Sequence, residues 1–571
     1  MTVKGIVASV LLMAVVTAIG TIDRFVPPPV PVVDEGVVGD VPVGGRWVCP
    51  MVADLPATTA RVTVAHGVDE GESDVAVSVM SERTRRQISS AVLAPVATLS
   101  EEVGAAAIID WSGVPAAVYR EWWFEGGDLP PGIVSGPCVH GESGRWIVPG
   151  LKTSGGAEAR LRVSNPFHSD ATIAVGFATS EGPAEPLALQ NVSIPSQETL
   201  EIVVNESLPE RDDLAAIITV QAGRVVAEGM QLMRSAIGGI DGASLLQAAP
   251  TTAETWTIPW VIDGPDRTSW LWVVNPDQRT AAVEFTFHTP DGGVVADGLD
   301  EVLVEPGTMR RIDLRGTFPG GIEVAAVTAR VSGAGIAVSG AVEVDAANPS
   351  RTGMVVQLGA VAPDTSWIVG GSAGDGRDEQ LHLVNPTSVS STVSVAVRTS
   401  LGVRRPAGLQ GLTVPAGASI PIDLTAHLND AEQWTAFITA DGSGIVAGRV
   451  GGSRDGARRL VAWSGVPSAA WHPDGLVRSA YHAPGLIQRL RTDLGLRAAD
   501  SFAPADRFAP SQQDDVADPD VASPSGRPPG VPLPVVPGGD GSDSDGEADD
   551  DADGDNDGSG GARGGSGTGS G

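Results

Sequence analysis

Lysine is almost absent from the 571-residue chain, with Lys4 and Lys152 as its two examples. Basic residues number 37 against 70 acidic ones, so the formal net charge is −33. The basic footprint that phosphate binding needs is missing, which excludes nucleic acid as the main partner. There are two cysteines and two tyrosines. Cysteine is too scarce, and lacks the CxxC spacing, for a metal site of the usual kind. No HExxH, nucleophile elbow, phosphate loop or dinucleotide fingerprint occurs. The eight histidines stand singly, and His168, His288 and His382 do not recur at equivalent places, so they read as surface or loop residues. No cofactor, no metal and no reaction is expected. Strong helical periodicity is also lacking over most of the chain.

One apolar run is present. Residues 5–22 carry no charge, follow the basic start MTVK and end at Asp23 and Arg24. Residues 1–24 therefore read as a signal anchor or signal peptide, with the membrane as partner through this N-terminal helix. Lys4 on the cytoplasmic side fits the positive-inside rule. The expected location is the cell membrane, single-pass with an extracellular ectodomain, or secretion if the leader is cleaved. Cys49 and Cys138 would then meet an oxidising compartment and are expected to pair as a disulfide.

Internal repetition is the strongest signal. RLRVSNP ends at Pro166, WLWVVNP at Pro276 and LHLVNP at Pro386, at a constant interval of about 110 residues. Ile173, Val175 and Phe177 align with Val283, Phe285 and Phe287, then with Val393, Val395 and Val397. Alternation of this kind marks a half-buried strand. Trp146, Trp256 and Trp367 open the three units, and Trp47 opens a more diverged one. Turn residues every 8–15 positions suggest about seven short strands per unit. The fold class is all-β: tandem antiparallel β-sandwich modules of immunoglobulin-like size, with an N-terminal hydrophobic helix and a disordered acidic tail.

The expected division is 1–24 leader, 25–46 Pro/Val-rich linker, then modules at 47–138, 139–250, 251–361 and 362–473. A short amphipathic segment at 474–500 and a Pro/Gly/Asp-rich tail at 501–571 follow, the tail being too poor in apolar residues to offset ordering entropy. Each module is large enough for its own core, so the expectation is beads on a string forming a semi-rigid rod.

Two recurring features invite a role. Asn165, Asn275 and Asn385 precede proline in each unit and read as structural turn residues, because the Asn side chain can bond nearby backbone. Thirteen tryptophans stand against two tyrosines. Trp270 and Trp272 share one strand face, Trp256 and Trp260 lie four apart, and Trp122 and Trp123 are adjacent. Exposed planar rings could stack on sugars or anchor an interface. Trp123, Trp260, Trp270 and Trp272 are the candidate ligand contacts on this reading, although filling cores and closing module junctions is the commoner use of tryptophan.

With the export segment, Trp47-Val-Cys-Pro, Pro137-Cys138, the Trp146 segment and the strand-Asn-Pro units in view, residues 1–473 resemble a family of uncharacterised actinobacterial envelope proteins. That resemblance implies an exported, membrane-anchored protein of the cell envelope and carries no catalytic residues. The functional expectation is a non-enzymatic multidomain spacer or scaffold, with cell-wall glycan or envelope proteins as partners. The alternative is a carbohydrate- or surface-ligand-binding protein using exposed tryptophan.

Overall fold

The computed structural model describes residues 44–467 apart from 51–57, 68–70, 125–131, 142, 234–241, 266, 296–297, 319–321, 345–352, 373–377, 429–432 and 454–458. All of them belong to the first of two compact units, Met1–Asp500. The leader, the linker before residue 44, the amphipathic segment and the acidic tail lie outside the described residues. Among the described residues no helix is long and apolar enough to cross a membrane.

The chain is all-β, and every strand pairing is antiparallel. Among the described residues eight sheets follow one another as four pairs. In the second module the first sheet runs Arg145–Leu151, Leu214–Ala222, Ala171–Thr179, with Pro183–Ala184 and Val192–Ile194 on its edge. The second sheet runs Glu198–Val203, Ala157–Asn165, Val226–Met233, Gly242–Gln247. Modules three and four repeat this order, and in module one a single strand, Thr84–Leu93, takes the edge of the first sheet. The strand with Ile173, Val175 and Phe177 turns these side chains into the core, as do its counterparts in modules three and four. Among the described residues the second module has nine strands rather than about seven, because the edge of its first sheet carries two short strands that alternation does not register.

Two devices recur at register-equivalent places. The opening tryptophan of each module donates its indole N–H to one carbonyl across the core: Trp47 to Ala116, Trp146 to Val225, Trp256 to Ile336 and Trp367 to Ile445, at 2.7–3.1 Å. A buried indole keeps its partner in this way. Each Asn-Pro turn is tied by three bonds from one side chain. Asn165 donates to Ser169 O and Ile194 O and accepts from Phe167 N. Asn275 makes the same set with Arg279, Val304 and Asp277, and Asn385 with Val389, Val414 and Thr387. All three asparagines are fully buried. In the first module His66 takes this place, bonded through Nδ1 to Gly67 O.

The Cys49–Cys138 disulfide joins the first strand to the segment leaving the first module. The same inter-sheet position holds Val148 and Ala248, Ile258 and Gly359, then Val369 and Gly465 in the following modules, as their backbone pairings show. A Cβ on Gly359 or Gly465 would come within 3.0 Å of Ile258 or 2.8 Å of Val369. The disulfide thus stands where the sister modules place one branched side chain over one small residue.

The modules are not beads on a string. The inner edge strands Gly132–Pro137, Gly242–Gln247, Gly353–Leu358 and Arg459–Ser464 lie against one another in cyclic order, so the fourth module packs on the first. One apolar cluster runs from module one into module four, and another from module two into module three. The expected rod fails for a physical reason: the outward faces of the second sheets are themselves apolar and need a neighbour to cover them.

Candidate functional site

The junctions between modules concentrate the unusual chemistry. Among the described residues no group of His, Cys, Asp or Glu side chains is placed to hold a metal.

Three of the four candidate tryptophans are not exposed. Trp260 is 1% exposed, Trp270 4% and Trp272 1%. Trp272 lies on Gly150 of the preceding module and donates to Asp213 Oδ1 at 3.0 Å. Trp270 meets Trp272 edge-to-face and carries the Arg311 guanidinium over its ring. Trp260 packs in a small cluster with Val450 of the fourth module. Trp123 is half-buried beneath the Arg61 guanidinium. The expected platform of exposed rings is therefore replaced by junction packing. The strand Arg267–Asn275 is covered on one face by its own module and on the other by the preceding one, so both faces are buried.

The histidines also depart from expectation, since His66, His288 and His382 are buried. His288 spans the junction of modules three and four, donating from Nδ1 to Gly417 O at 2.8 Å while Nε2 meets Thr328 Oγ1 at 2.7 Å. Burial lowers its pKa from the ordinary value. The His140 ring meets the Trp47 ring at a tilt of 55°, and burial lowers the His140 pKa to about 4.

The closing junction, module four on module one, is held by buried charge. Arg449 is 1% exposed and grips Glu379 with two bonds of 2.9 Å. The same guanidinium donates to Glu121 Oε1 at 3.2 Å and Ser135 Oγ at 3.3 Å, both in module one, and to Gly370 O at 3.1 Å. Burial alone would lower the Arg449 pKa, but Glu379 and Glu121 more than offset it and hold the group above its ordinary value. Beside it, Tyr119 Oη bonds Thr435 Oγ1 at 2.8 Å and donates to Trp434 O at 3.3 Å. Glycine makes the room: a Cβ on Gly371 would lie 1.9 Å from Arg449 Nη1, and one on Gly370 would lie 2.4 Å from the Tyr119 hydroxyl. This explains why the fourth module opens with Trp-Ile-Val-Gly-Gly where the second has Trp-Ile-Val-Pro-Gly.

A related arrangement joins modules one and two. Arg120 occupies in its strand the place that Arg449 occupies in the fourth module, as the pairings Ala65 to Ala117 and Val384 to Val446 show. It donates to Pro50 O at 3.0 Å, just as Arg449 donates to Gly370 O. Its carboxylate partner, Glu228, comes from module two. The Arg120 and Arg162 guanidinium groups both lie over Trp122, at 4.9 and 4.7 Å. Burial lowers the Arg162 pKa and raises that of Glu228. Modules two and three have Gly229 and Gly340 at the arginine position, each covered by an apolar side chain, Val148 or Ile258.

None of Arg120, Glu121, Glu228, Glu379 or Arg449 stood out by motif. For Arg120 and Arg449 the signal is a charged residue in an apolar inner strand at a place where sister repeats carry glycine, as in Val-Ala-Gly-Arg-Val-Gly-Gly.

Fold and junctions together define a tandem-repeat all-β protein whose modules close on themselves through buried ion pairs. A family of unknown function (DUF5719) matches residues 112–317, 238–354 and 357–457, more than half the chain. The chain belongs to that family. None of the curated proteins matches the sequence. Among solved structures, the tetra-tandem repeat in the extending region of a large adhesion protein is 13% identical over 75% of this chain and 100% of that chain. The TM-score of 0.10 is too low to carry any argument.

Proposed function

We propose that this chain is a non-enzymatic, exported scaffold of the cell envelope, tethered by its N-terminal apolar run and acting as a closed four-module platform. The location agrees with the actinobacterial envelope family that the sequence resembles. One observation carries the reading: Arg449, Glu121 and Glu379 lock the last module onto the first. Such a lock fixes the relative position of four sandwich surfaces, which is what a scaffold requires and an extensible spacer does not. The Cys49–Cys138 disulfide supports an oxidising compartment, where such bonds persist. Burial of Trp260, Trp270 and Trp272 removes the support for sugar binding through exposed rings.

Two measurements test this reading. Protease accessibility on intact cells should show the modules outside the membrane. Capture with the full chain from solubilised envelope should retain a defined set of envelope proteins, and R449M should weaken that retention. Modules protected inside the cell, or capture indifferent to R449M, would refute the scaffold.

A further inference from the structure

At each junction the outer face of one module's first sheet meets turns of the next. Register makes the first two junctions directly comparable. In module one Arg46 stands opposite Asp110, and in module two Arg145 stands opposite Thr219. At the first junction the space is filled. Arg46 pairs with Asp110 at 2.7 Å, and Phe167, two residues past Asn165, is buried 5.8 Å from that guanidinium.

At the second junction the fillers are gone. Thr219 replaces Asp110, Gly176 replaces Ser78, and Asp277, two residues past Asn275, replaces Phe167. A cleft of about 610 Å³ opens there between modules two and three. That volume lies within the range of small-molecule sites. Arg145, Thr219, Asp277, Gln278, Pro276 and Pro306 are among its lining residues.

We propose that this cleft binds a neutral polyhydroxyl ligand, a saccharide unit. Arg145 and Asp277 form a long ion pair, 3.9 Å apart and so without a hydrogen bond, and their side chains are 37% and 33% exposed. A donor-only group thus faces an acceptor-only group across a gap. A hydroxyl both accepts and donates, so a sugar hydroxyl satisfies the two together. Glu185 also lines the cleft, making one positive charge against two negative ones, which disfavours an anion. A cation placed against Asp277 would meet the like charge of the Arg145 guanidinium, 3.9 Å away. The prolines offer apolar faces to the C–H side of a ring. The wall is rigid: Asn275 accepts from Asp277 N at 3.1 Å, and Asp277 Oδ2 accepts from Gly335 N at 3.1 Å. Asn275 is accordingly a positioning residue.

The test is titration calorimetry and saturation-transfer NMR on the full chain, with maltose, cellobiose, glucuronate and glucosamine as probes. At least one neutral disaccharide should bind at millimolar concentration or below, more tightly than either charged sugar. Two variants import the filled junction: Asp277→Phe restores the aromatic, and Thr219→Asp gives Arg145 a carboxylate partner. Each should weaken binding at least tenfold, Thr219→Asp with the melting temperature held. The second variant leaves the Asp277 bond to Gly335 intact, so it separates ligand loss from damage to the turn. No binding of either disaccharide, tighter binding of a charged sugar, or Thr219→Asp binding like the parent would each overturn the proposal.

Discussion

Replacing Arg449 by methionine removes the cation at the closing junction while keeping much of the stem volume. Two carboxylates, Glu379 and Glu121, are then left in a site where their side chains are 1% and 4% exposed. Breaking a buried pair from one side costs about 3–5 kcal/mol, because the remaining charge is neither solvated nor paired. The cost should depend on pH. Without the guanidinium, burial penalises the ionised form of each carboxyl and not the protonated one. A group with a raised folded value contributes full stability below its unfolded pKa and loses it as pH rises through the folded one. The gap between parent and R449M should therefore be small near pH 4.5 and full at pH 8. A four-module chain need not unfold in one step, so local hydrogen exchange is the appropriate assay. Strands Ala116–Phe124 and Gln433–Ala440, which share the Tyr119 bonds, should lose about two to three and a half orders of magnitude of protection at pH 8. The triple variant R449M/E121Q/E379Q, with no ionised group left in the site, should recover part of it. A loss below about 1 kcal/mol, or an equal loss at both pH values, would refute the claim that this network closes the modules.

Other outcomes follow from the same geometry. Cys49→Val with Cys138→Ala, the pair that module two uses, should fold and lose about 4–5 kcal/mol of chain-entropy stabilisation, while the double serine variant should lose about 1–3 kcal/mol more by burying hydroxyls. Denaturant titration of the two variants checks this, and equal losses would contradict the equivalence with Val148 and Ala248. Because the folded His140 pKa is lowered to about 4, its contribution is intact above pH 6.5 and declines as pH falls from 6.5 toward 4. Thermal melts of H140Q should show a flatter slope in that window than the parent. Trp272→Ala should cost about 3–5 kcal/mol through the cavity left on Gly150, and an unchanged melting temperature would show the ring to be dispensable to the junction.

The modules were legible in the sequence because their cores obey a local rule. Alternation at Ile173, Val175 and Phe177 needs only one buried face, and the interval of 110 repeats it. The Asn-Pro turns were legible for the same reason, since each asparagine bonds backbone two and four residues away as well as one carbonyl on a nearby strand. Closure obeys no local rule. It depends on what meets the outward face of each second sheet, and a single repeat does not encode its neighbour. Trp270 and Trp272 illustrate the difficulty. Two large rings on one face suit a solvent-exposed platform and a packed junction equally well. Yet the surrounding Trp-Leu-Trp-Val-Val is apolar at every position, whereas a strand with one wet face alternates. An uninterrupted run inside an otherwise alternating repeat therefore already pointed to a second covering layer. Departures from the repeat carry the rest: glycine for proline at Gly370, arginine for glycine at Arg120 and Arg449, and aspartate for phenylalanine at Asp277. In a repeat protein the shared residues build the module, and the residues that break register-equivalence mark where one module meets another or leaves space for a ligand.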